Sequence, residues 1–405
     1  MCPLKHTESV TLQGHPALHA IIRDEILRSG PVPFARFMDL ALYHPDFGYY
    51  MRPGEEEQRI GWQGDYYTSP DVHVFLGQAL ARQARQIDER LGRPDPFTVV
   101  EMGAGKGLLA RDFIADCAAH APGFFARLRY RLIERSPAMR AAQARHLEPW
   151  LTRQSGAGRI GWTHGLGALS AGSVTGAVLS NELVDAFPVH RIRIAGGQRR
   201  EIYVAYEADR FVERLGPLST PALAEYLDRL ARMDIVLEEG DVADVNLEAL
   251  AWMREVGRVM GRGVAITIDY GHTAPDLFGA ERRRGTLLCY HDQIASDDPY
   301  GRVGLQDMTA HVDFSSLAAA GEDTGLQVTG FTNQMSFLMG WGIEERLSGL
   351  EPGSPDYQAL IHLLRPEGMG RTFKVLIQHK GMERPELDGL RFKPFFGSAL
   401  TAHVH

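Results

Sequence analysis

The sequence of 405 residues predicts an α/β fold with a doubly wound parallel sheet. Two observations lead to this prediction. Seven apolar segments with the length of strands occur along the chain, and helical segments separate the early ones. A turn with a glycine at every second position follows the first of these segments, where an α/β fold binds nucleotide-like ligands. The strand candidates are 97–102, 128–134, 159–164, 174–180, 263–269, 326–331 and 372–379.

The composition is that of a globular protein, with 44% hydrophobic and 23% charged residues. A net charge of −8 argues against a surface that binds phosphate backbones, so we expect no nucleic-acid partner. The cysteines (Cys2, Cys117 and Cys289) lack metal spacing, and no histidine pair has ligand spacing on a helix. We therefore expect no metal and a reducing compartment. No apolar run reaches the length of about 18 residues that a membrane span needs. The N-terminus lacks the pattern of a signal peptide or presequence, which predicts a cytoplasmic protein.

The first 95 residues are expected to form an N-terminal helical extension. A helix over 16–30 begins with proline and ends at glycine, and both residues are favoured at these ends. Aromatic residues follow, and the polar segment 52–60 is expected to be a mobile loop. A long helix over 71–91 comes next, with Ser69 as its N-cap.

The segment 97–107 has the pattern of a strand, a turn and the start of a helix. Its apolar strand contains Glu101 near its end, and Gly103, Gly105 and Gly107 follow at alternate positions. Glycines lack the Cβ atoms that would keep a ligand away from the backbone N–H groups. The pattern E-x-G-x-G-x-G fits S-adenosyl-L-methionine, which carries an adenosine without a phosphate.

Two phosphate-containing ligands fit this turn less well. A Walker loop requires Ser or Thr after the Gly-Lys pair, and this chain has Gly107 there, with Val100 in place of the first glycine. The third glycine of a dinucleotide fingerprint is replaced by Leu108, which argues against a dehydrogenase. A turn that only packs a helix against a strand remains the structural alternative.

The second strand leads to Glu134, and Ser136 and Pro137 then start a helix as N-cap and first residue. An acidic residue at this strand end faces the glycine turn at the end of the first strand. It is placed to accept hydrogen bonds from both ribose hydroxyls of a bound nucleoside. The alternative is a solvated strand end.

The α/β core is expected over 96–380, with an insertion between the fourth and fifth strands at about 189–245. The insertion contains the patterns of two strands and a helix, and insertions of this size usually carry specificity. A second long excursion, 271–325, follows the fifth strand, and residues 381–405 are expected to form a C-terminal tail.

Polar side chains follow the fourth and fifth strands, at the sheet edge where ligands bind. The fourth strand leads to Asn181, Glu182 and Asp185, and the fifth leads to Asp269 and His272. A carboxylate beside an acceptor orients a cationic nucleophile and takes its proton, and a guanidinium matches carboxylates in geometry. Glu182, Asp185 and His272 are therefore the catalytic candidates. Their structural alternatives are a helix N-terminal acid, a turn residue and a loop histidine.

A series of motifs in one order closely resembles a known family. The motifs are Pro33-Phe34-x-x-Phe37-Met38 with Tyr43-x-Pro45-x-x-Gly48-Tyr49-Tyr50, Gly64-Asp65-x-x-Thr68-Ser69-Pro70, Glu101-x-Gly103-x-Gly105-x-Gly107, Asn181-Glu182-Leu183-x-Asp185-Ala186-Phe187-Pro188, Asp269-Tyr270-Gly271-His272 and His311-Val312-Asp313-Phe314. The family is that of S-adenosylmethionine-dependent methyltransferases that contains the mitochondrial complex I assembly factor, a protein arginine methyltransferase, and its bacterial relatives. The resemblance runs from about residue 22 to residue 379.

The resemblance implies a class I (Rossmann-like, seven-stranded) methyltransferase fold with S-adenosyl-L-methionine in its cleft, and the N-terminal extension as an active-site cover. It also implies an arginine of a partner protein as acceptor, by analogy a subunit of respiratory complex I, and a role in complex I assembly. We further expect a homodimer. The implied cofactor-binding residues are Glu101, Gly103, Gly105, Gly107, Glu134, Asn181, Asp65, Thr68 and Ser69.

Two other functions fit the same sequence. One is a small-molecule methyltransferase on the same fold, which needs an enclosed pocket where a protein substrate needs an open groove. The other is an assembly or binding factor that retains the fold but turns over little. Intact Glu101, Gly103, Gly105 and Glu134 argue against an inactive pocket.

Overall fold

The computed structural model describes residues 14–52, 59, 61, 64–151, 158–365, 368–393 and 400. Apart from Arg52 and Arg59, the segment expected to be a mobile loop lies outside these residues, as does the N-terminus used to predict the compartment. Within the described chain, no helix is long and apolar enough to cross a membrane.

The elements alternate along the chain as the sequence pattern predicts. The described strands are β1 (Val32–Pro33), β2 (Phe97–Met102), β3 (Leu128–Ile133), β4 (Ile160–Thr163), β5 (Val174–Asn181), β6 (His190–Ala195), β7 (Gln198–Glu207), β8 (Arg210–Gly216), β9 (Val242–Val245), β10 (Met260–His272), β11 (Leu288–His291), β12 (Ile294–Ser296), β13 (Asp307–Thr309), β14 (Val312–Asp313), β15 (Gln327–Asn333) and β16 (Phe373–Lys380). The described α-helices are α1 (Pro16–Ser29), α2 (Phe34–Tyr43), α3 (Ser69–Val72), α4 (Phe75–Arg90), α5 (Leu108–His120), α6 (Pro122–Arg127), α7 (Pro137–Leu151), α8 (Pro221–Arg232), α9 (Leu247–Val259), α10 (Ala274–Leu277), α11 (Phe314–Glu322), α12 (Gln334–Gly340), α13 (Ile343–Ser348), α14 (Pro355–Leu364) and α15 (Met369–Thr372).

The central sheet has the strand order β15-β16-β10-β5-β2-β3-β4, and β14 pairs with β10. Strands β4, β3, β2, β5 and β10 run parallel, whereas β16 is antiparallel to both of its neighbours. All seven predicted strands lie in this sheet, so the α/β prediction is confirmed. Within the described residues the sheet has eight strands rather than seven, because two-residue β14 pairs with the C-terminal end of β10.

Helices cover both faces of the central sheet, as a buried parallel sheet requires. Val99 and Val100 are neighbours on β2, yet they belong to two different hydrophobic cores because their side chains point to opposite faces. Helices α4 and α5 contribute to the first core, and α8, α9 and α11 contribute to the second. The C-terminal ends of the parallel strands lead into loops.

The predicted insertion forms a second, antiparallel sheet with the order β1-β7-β6-β9 and β8 paired to β7. Its two predicted strands and its helix α8 are present, and β8 and β9 are two strands that the sequence pattern did not reveal. Val32 of the N-terminal segment pairs with Val204 of the insertion. A third core joins α2 to this sheet, so the N-terminal segment and the insertion share one packed unit.

The helix predicted over 71–91 is wrong at its start, because the structure has two helices there, α3 and α4. The N-cap of α3 is Thr68 rather than Ser69, and its backbone N–H and hydroxyl both donate to the carboxylate of Asp71 at 3.1 and 2.7 Å. The chain is extended at His73 (φ −162°, ψ 150°), and its Nδ1 accepts from the backbone N–H of Phe75 at 3.1 Å. A capping box therefore begins α3, and the extended residue His73 separates it from α4.

Candidate functional site

A cavity of about 170 Å³ lies at the C-terminal ends of β2, β3 and β5. This is the edge at which open α/β sheets bind ligands. The predicted site residues that line it are Thr68, Glu101, Gly103, Gly105, Glu134, Asn181 and Glu182. The predicted site residues that are absent from its lining are Asp65, Ser69, Gly107, Asp185 and His272.

The glycine turn needs glycine for two different reasons. Gly103, Gly105 and Gly107 all have positive φ (72°, 51° and 84°), which side chains rarely adopt. A Cβ atom on Gly103 would lie 2.7 Å from Leu183 Cδ1, and one on Gly107 would lie 3.0 Å from the Gln143 side chain. A Cβ on Gly105 would have no protein atom within 4 Å. The first and third glycines are thus required by packing, and the space beside Gly105 is open for a ligand.

Glu101 is the penultimate residue of β2 and lies deep in the protein, with 2% of its surface exposed. The hydroxyl of Tyr130 donates to its carboxylate at 2.7 Å. Burial raises the pKa of Glu101 to about 7, and the negative charge of Glu134 acts in the same direction. A cationic ligand group would offset this cost.

Glu134 and the glycine turn are connected by Gln143 of α7, a residue that sequence reasoning missed. Its amide nitrogen donates to the backbone oxygen of Gly105 at 2.8 Å and to the carboxylate of Glu134 at 3.1 Å. The backbone N–H of Ser136 also donates to Glu134 at 2.8 Å. Burial raises the pKa of Glu134. The carboxylate is held in one orientation at the cavity wall, and each oxygen keeps a second lone pair for a ligand.

The segment around α3 lies over the glycine turn. Thr68 and Asp71 line the cavity, and Lys106 of the turn pairs with Asp71 at 2.5 Å. Ser69 faces inward instead, since its hydroxyl donates to Gln334 at 2.9 Å and its backbone N–H donates to Glu182 at 3.2 Å. Asp65 accepts from the Tyr49 hydroxyl at 2.7 Å, so its side chain supports the segment rather than the cavity wall.

The turn after β5 is built on Asp269, which ends the buried part of β10. The Asp269 carboxylate accepts from the backbone N–H groups of Leu183, Val184 and Asp185 at 3.2, 2.8 and 3.4 Å. Burial and the neighbouring Asp185 raise the pKa of Asp269 well above its ordinary range. This anchor fixes the turn that begins at Glu182.

Glu182 is a non-glycine residue with φ of +52°, a conformation that persists only where the surroundings enforce it. Its carboxylate accepts from Asn181 Nδ2 at 3.0 Å and from the Ser69 N–H, and it borders the cavity. Burial, and then the charge of Asp185, raise its pKa to about 8. The carboxyl is thus poised to ionise when a cation binds.

Asp185 and His272 lie apart from the cavity lining. Asp185 is 4% exposed, and its carboxylate accepts from the Tyr270 hydroxyl, while one of its oxygens has no hydrogen-bond partner. Burial raises the pKa of Asp185 to about 6. The His272 ring lies tilted against that of His311 with 5.3 Å between ring centres, and burial lowers the pKa of His272 to about 3. The structure therefore brings Asp185 close behind Glu182 but does not bring His272 to the cavity.

S-adenosyl-L-methionine fits the residues of this cavity. Open space beside Gly105 and the buried, unpartnered Oδ1 of Asn181 are both left for a ligand. Carboxyl groups at the ends of β2 and β3 suit an amino group and ribose hydroxyls, and apolar side chains suit an adenine ring. These apolar lining residues include Leu108, Ile133 and Met139.

Comparison with known proteins agrees with this fit. Residues 79–332 match the model of the family described as "Putative S-adenosyl-L-methionine-dependent methyltransferase". The chain is 31% identical to a protein from Burkholderia thailandensis whose crystal structure is bound to S-adenosyl-homocysteine. The two structures superpose with a TM-score of 0.82, over 96% of this chain and 97% of the other.

Curated relatives carry a more specific name. The Drosophila melanogaster protein arginine methyltransferase NDUFAF7 homolog, mitochondrial, is 29% identical over 93% of this chain and 87% of its own length. The human protein arginine methyltransferase NDUFAF7, mitochondrial, is 26% identical over 92% of this chain and 86% of its own length. These names contradict the cytoplasmic prediction, which is therefore wrong. It rested on the N-terminal pattern, the cysteine usage and the lack of a long apolar run, whereas the relatives match over most of the chain.

Proposed function

The chain belongs to the family of S-adenosyl-L-methionine-dependent methyltransferases, and we propose that it transfers the methyl group to an arginine side chain of a protein. The names of the curated relatives support an arginine acceptor. The observation that carries the proposal is Glu182, a carboxyl in a strained conformation at the cavity wall, whose hydrogen-bond partners are amide donors. A guanidinium is the cation that best matches such a carboxylate.

The residues at the strand ends would hold the cofactor, which supplies an electrophilic methyl group on a sulfonium. We propose that Glu134 accepts from the ribose hydroxyls and that Glu101 accepts from the amino group of the methionine part. The backbone of the glycine turn and the free oxygen of Asn181 would complete the contacts. The supporting residues are Asp65, Thr68, Ser69 and Gly107, which shape the cover and the turn.

Glu182 would orient the acceptor and accept its proton. An arriving guanidinium stabilises the ionised carboxylate, which then holds one nitrogen in line for attack and excludes water from that nitrogen. Asp185 would add negative charge behind Glu182, because its carboxyl lies within the same buried acidic group. His272 remains a predicted base, and its neutral imidazole is a weak proton acceptor because its pKa is low.

The partner and the domain division are parts of the same proposal. We propose a subunit of respiratory complex I as the first acceptor protein to test, because the sequence resembles the family of a complex I assembly factor. The division into an N-terminal cover (1–95), a core (96–380) with its insertion (189–245) and a tail (381–405) stays a prediction, as does the homodimer.

Transfer of a labelled methyl group tests the proposal. The protein is incubated with methyl-labelled S-adenosylmethionine and a mitochondrial extract, and the labelled protein is hydrolysed to amino acids. The proposal expects the label in methylarginine. Label in another amino acid would contradict the arginine acceptor, and label confined to metabolites would favour the small-molecule alternative.

A further inference from the structure

The long excursion after β10 carries a small antiparallel sheet with the order β12-β11-β13. The end of β13 lies against the turn that follows β5, since Ala310 N–H donates to the backbone oxygen of Asp185 at 2.9 Å. The Tyr270 hydroxyl also bridges Asp185 and Thr309 of β13. The excursion therefore brings its own residues to the acidic side of the cavity.

Asp307 of β13 is the carboxylate that this arrangement buries. It is 2% exposed and accepts from the Tyr50 hydroxyl at 2.5 Å and from the Met308 N–H at 2.8 Å. Among the described residues, no lysine, arginine or histidine forms an ion pair with it. A buried carboxylate without a cation is costly, and burial raises the pKa of Asp307 to about 7. Groups whose pKa values are perturbed in this way cluster at functional sites.

Through Tyr50, Asp307 holds one wall of the cavity. This tyrosine wall consists of Tyr43, Tyr50 and Tyr66, which all line the cavity. Tyr50 stacks on Tyr43 with 5.5 Å between ring centres, and Tyr66 is hydrogen-bonded to Tyr50. The Tyr43 hydroxyl donates to the backbone oxygen of Ala186 at 2.9 Å. Each hydroxyl is thus tied to the protein, and the rings border the cavity in fixed positions.

Aromatic rings attract flat cations, and the Tyr43 ring of this wall already contacts one. The guanidinium of Arg135 lies 5.3 Å from the centre of the Tyr43 ring. Burial raises the pKa of Tyr66, and so do the negative charges of Asp307 and Asp185. The charge of Glu182 raises it further, so Tyr66 lies close to the Glu182 carboxyl. The tyrosine wall and Glu182 therefore border the same end of the cavity.

We propose that Asp307 is a positioning residue for the acceptor: it holds Tyr50, and through Tyr50 the tyrosine wall, so that an arginine guanidinium is aligned against Glu182. This inference rests on the proposed arginine methyl transfer and adds to it a residue from a segment without an assigned role. Asp307 acts through Tyr50, because its own side chain is absent from the cavity lining. Misalignment of an acceptor costs transition-state stabilisation rather than binding alone.

Four variants test this role with methyl-labelled S-adenosylmethionine and a pool of synthetic peptides that each contain one arginine. Asp307→Ala removes the acceptor of the Tyr50 hydroxyl, and Tyr50→Phe removes only the hydroxyl. We expect either change to lower kcat by about tenfold, with the KM for S-adenosylmethionine nearly unchanged. Asp307→Asn retains an oxygen that accepts from Tyr50, so it should restore most of the lost rate. The double variant should lose no more than Tyr50→Phe alone, because Tyr50→Phe already removes the hydrogen bond to Asp307 together with the one that Tyr66 makes to Tyr50.

A second buried tyrosine–aspartate pair provides the matched control. The Tyr226 hydroxyl donates to Asp313 at 2.6 Å, and neither residue lines the cavity. Tyr226→Phe should lower the melting temperature as Tyr50→Phe does, but it should leave kcat unchanged. Should Asp307→Ala fail to fold, Tyr50→Phe still gives the decisive rate.

The outcomes separate this inference from the proposed function. If the wild-type protein labels no arginine peptide but labels another acceptor, the arginine proposal fails, and the inference fails with it. If the wild-type protein labels arginine while Tyr50→Phe keeps its kcat within about twofold, or if the double variant is additive, the positioning role of Asp307 alone is overturned.

Discussion

Replacing Glu182 by glutamine tests the proposed acceptor site most sharply. The glutamine oxygen still accepts from Asn181 Nδ2 and from the Ser69 N–H, so the turn after β5 keeps its hydrogen bonds. The change also preserves the side-chain volume at a position with positive φ, where glutamate and glutamine are equally strained. What it removes is the ability to carry a negative charge.

The size of the effect follows from two opposing terms. Two charge-assisted hydrogen bonds between a guanidinium and a carboxylate contribute roughly 3–6 kcal/mol together. With a pKa of about 8, ionising Glu182 at pH 7 costs about 1 kcal/mol. The difference of roughly 2–5 kcal/mol corresponds to a fall in kcat/KM of roughly 30-fold to several thousand-fold. We expect about a 10²-fold fall at pH 7.

The assay measures methyl transfer to the arginine peptide pool between pH 6 and pH 9. Since only the ionised carboxylate pairs with the acceptor, wild-type kcat/KM should rise as the pH increases towards the Glu182 pKa of about 8. Glu182→Gln should lack this rise, and calorimetry should find its affinity for S-adenosylmethionine nearly unchanged. The control is Glu201→Gln in the insertion sheet, a buried carboxylate that accepts from His190 and Ser219. It should keep both the rate and the pH profile.

A result within twofold of the wild type, with the same pH profile, would refute the acceptor role of Glu182. Glu182 would then be a structural acid that accepts from the N–H of Ser69 at the start of α3. Equal losses in Glu182→Gln and Glu201→Gln would also refute it, since loss of any buried carboxylate would then have the same effect.

Three further predictions follow from the cavity. Gly105→Val should abolish binding of S-adenosylmethionine, because the valine side chain would fill the open space beside the turn. Gly123→Val, at another position with open space, should bind S-adenosylmethionine normally in calorimetry. Lys106→Met should weaken cofactor binding by about tenfold, because it removes the ion pair that holds Asp71 and the cover. Stopped-flow rates of cofactor release that are unchanged from the wild type would contradict this. Burial raises the Glu101 pKa from 4.5 to about 7, so its contribution to stability is present below pH 4.5 and is lost as the pH rises through 7. Glu101→Gln should therefore reduce the drop in melting temperature between pH 5 and pH 8, and an equal drop in both proteins would count against the shifted pKa.

The sequence predicts the parts of this protein that depend on local patterns. Strands such as β2 and β5 carry apolar residues at successive positions, as in Val99-Val100 and Ala177-Val178-Leu179, because both faces of a parallel sheet are buried. The glycine turn can also be recognised in the sequence, because glycines at alternate positions allow three positive φ angles within five residues. The sequence pattern does not predict the break between α3 and α4, because the break depends on the extended backbone of His73, whose side chain accepts from the Phe75 N–H.

Contacts between distant segments could not be predicted from one sequence. Tyr50 and Asp307 are 257 positions apart, and nothing in either local pattern indicates that they meet. Likewise, Gln143 is 38 positions beyond the glycine whose backbone it binds. A polar residue on a helix normally indicates a solvated face, so the buried amide of Gln143 has no sequence signal.

Every step proposed above requires that the cavity beside Gly105 bind S-adenosylmethionine for methyl transfer. The most direct measurement is calorimetric titration of the purified protein with S-adenosyl-homocysteine, the product that this transfer leaves in the site. We expect one site per chain with micromolar affinity, and competition with S-adenosylmethionine. The absence of binding to a protein shown to be folded would contradict it, because the glycine turn would then serve only to pack α5 against β2.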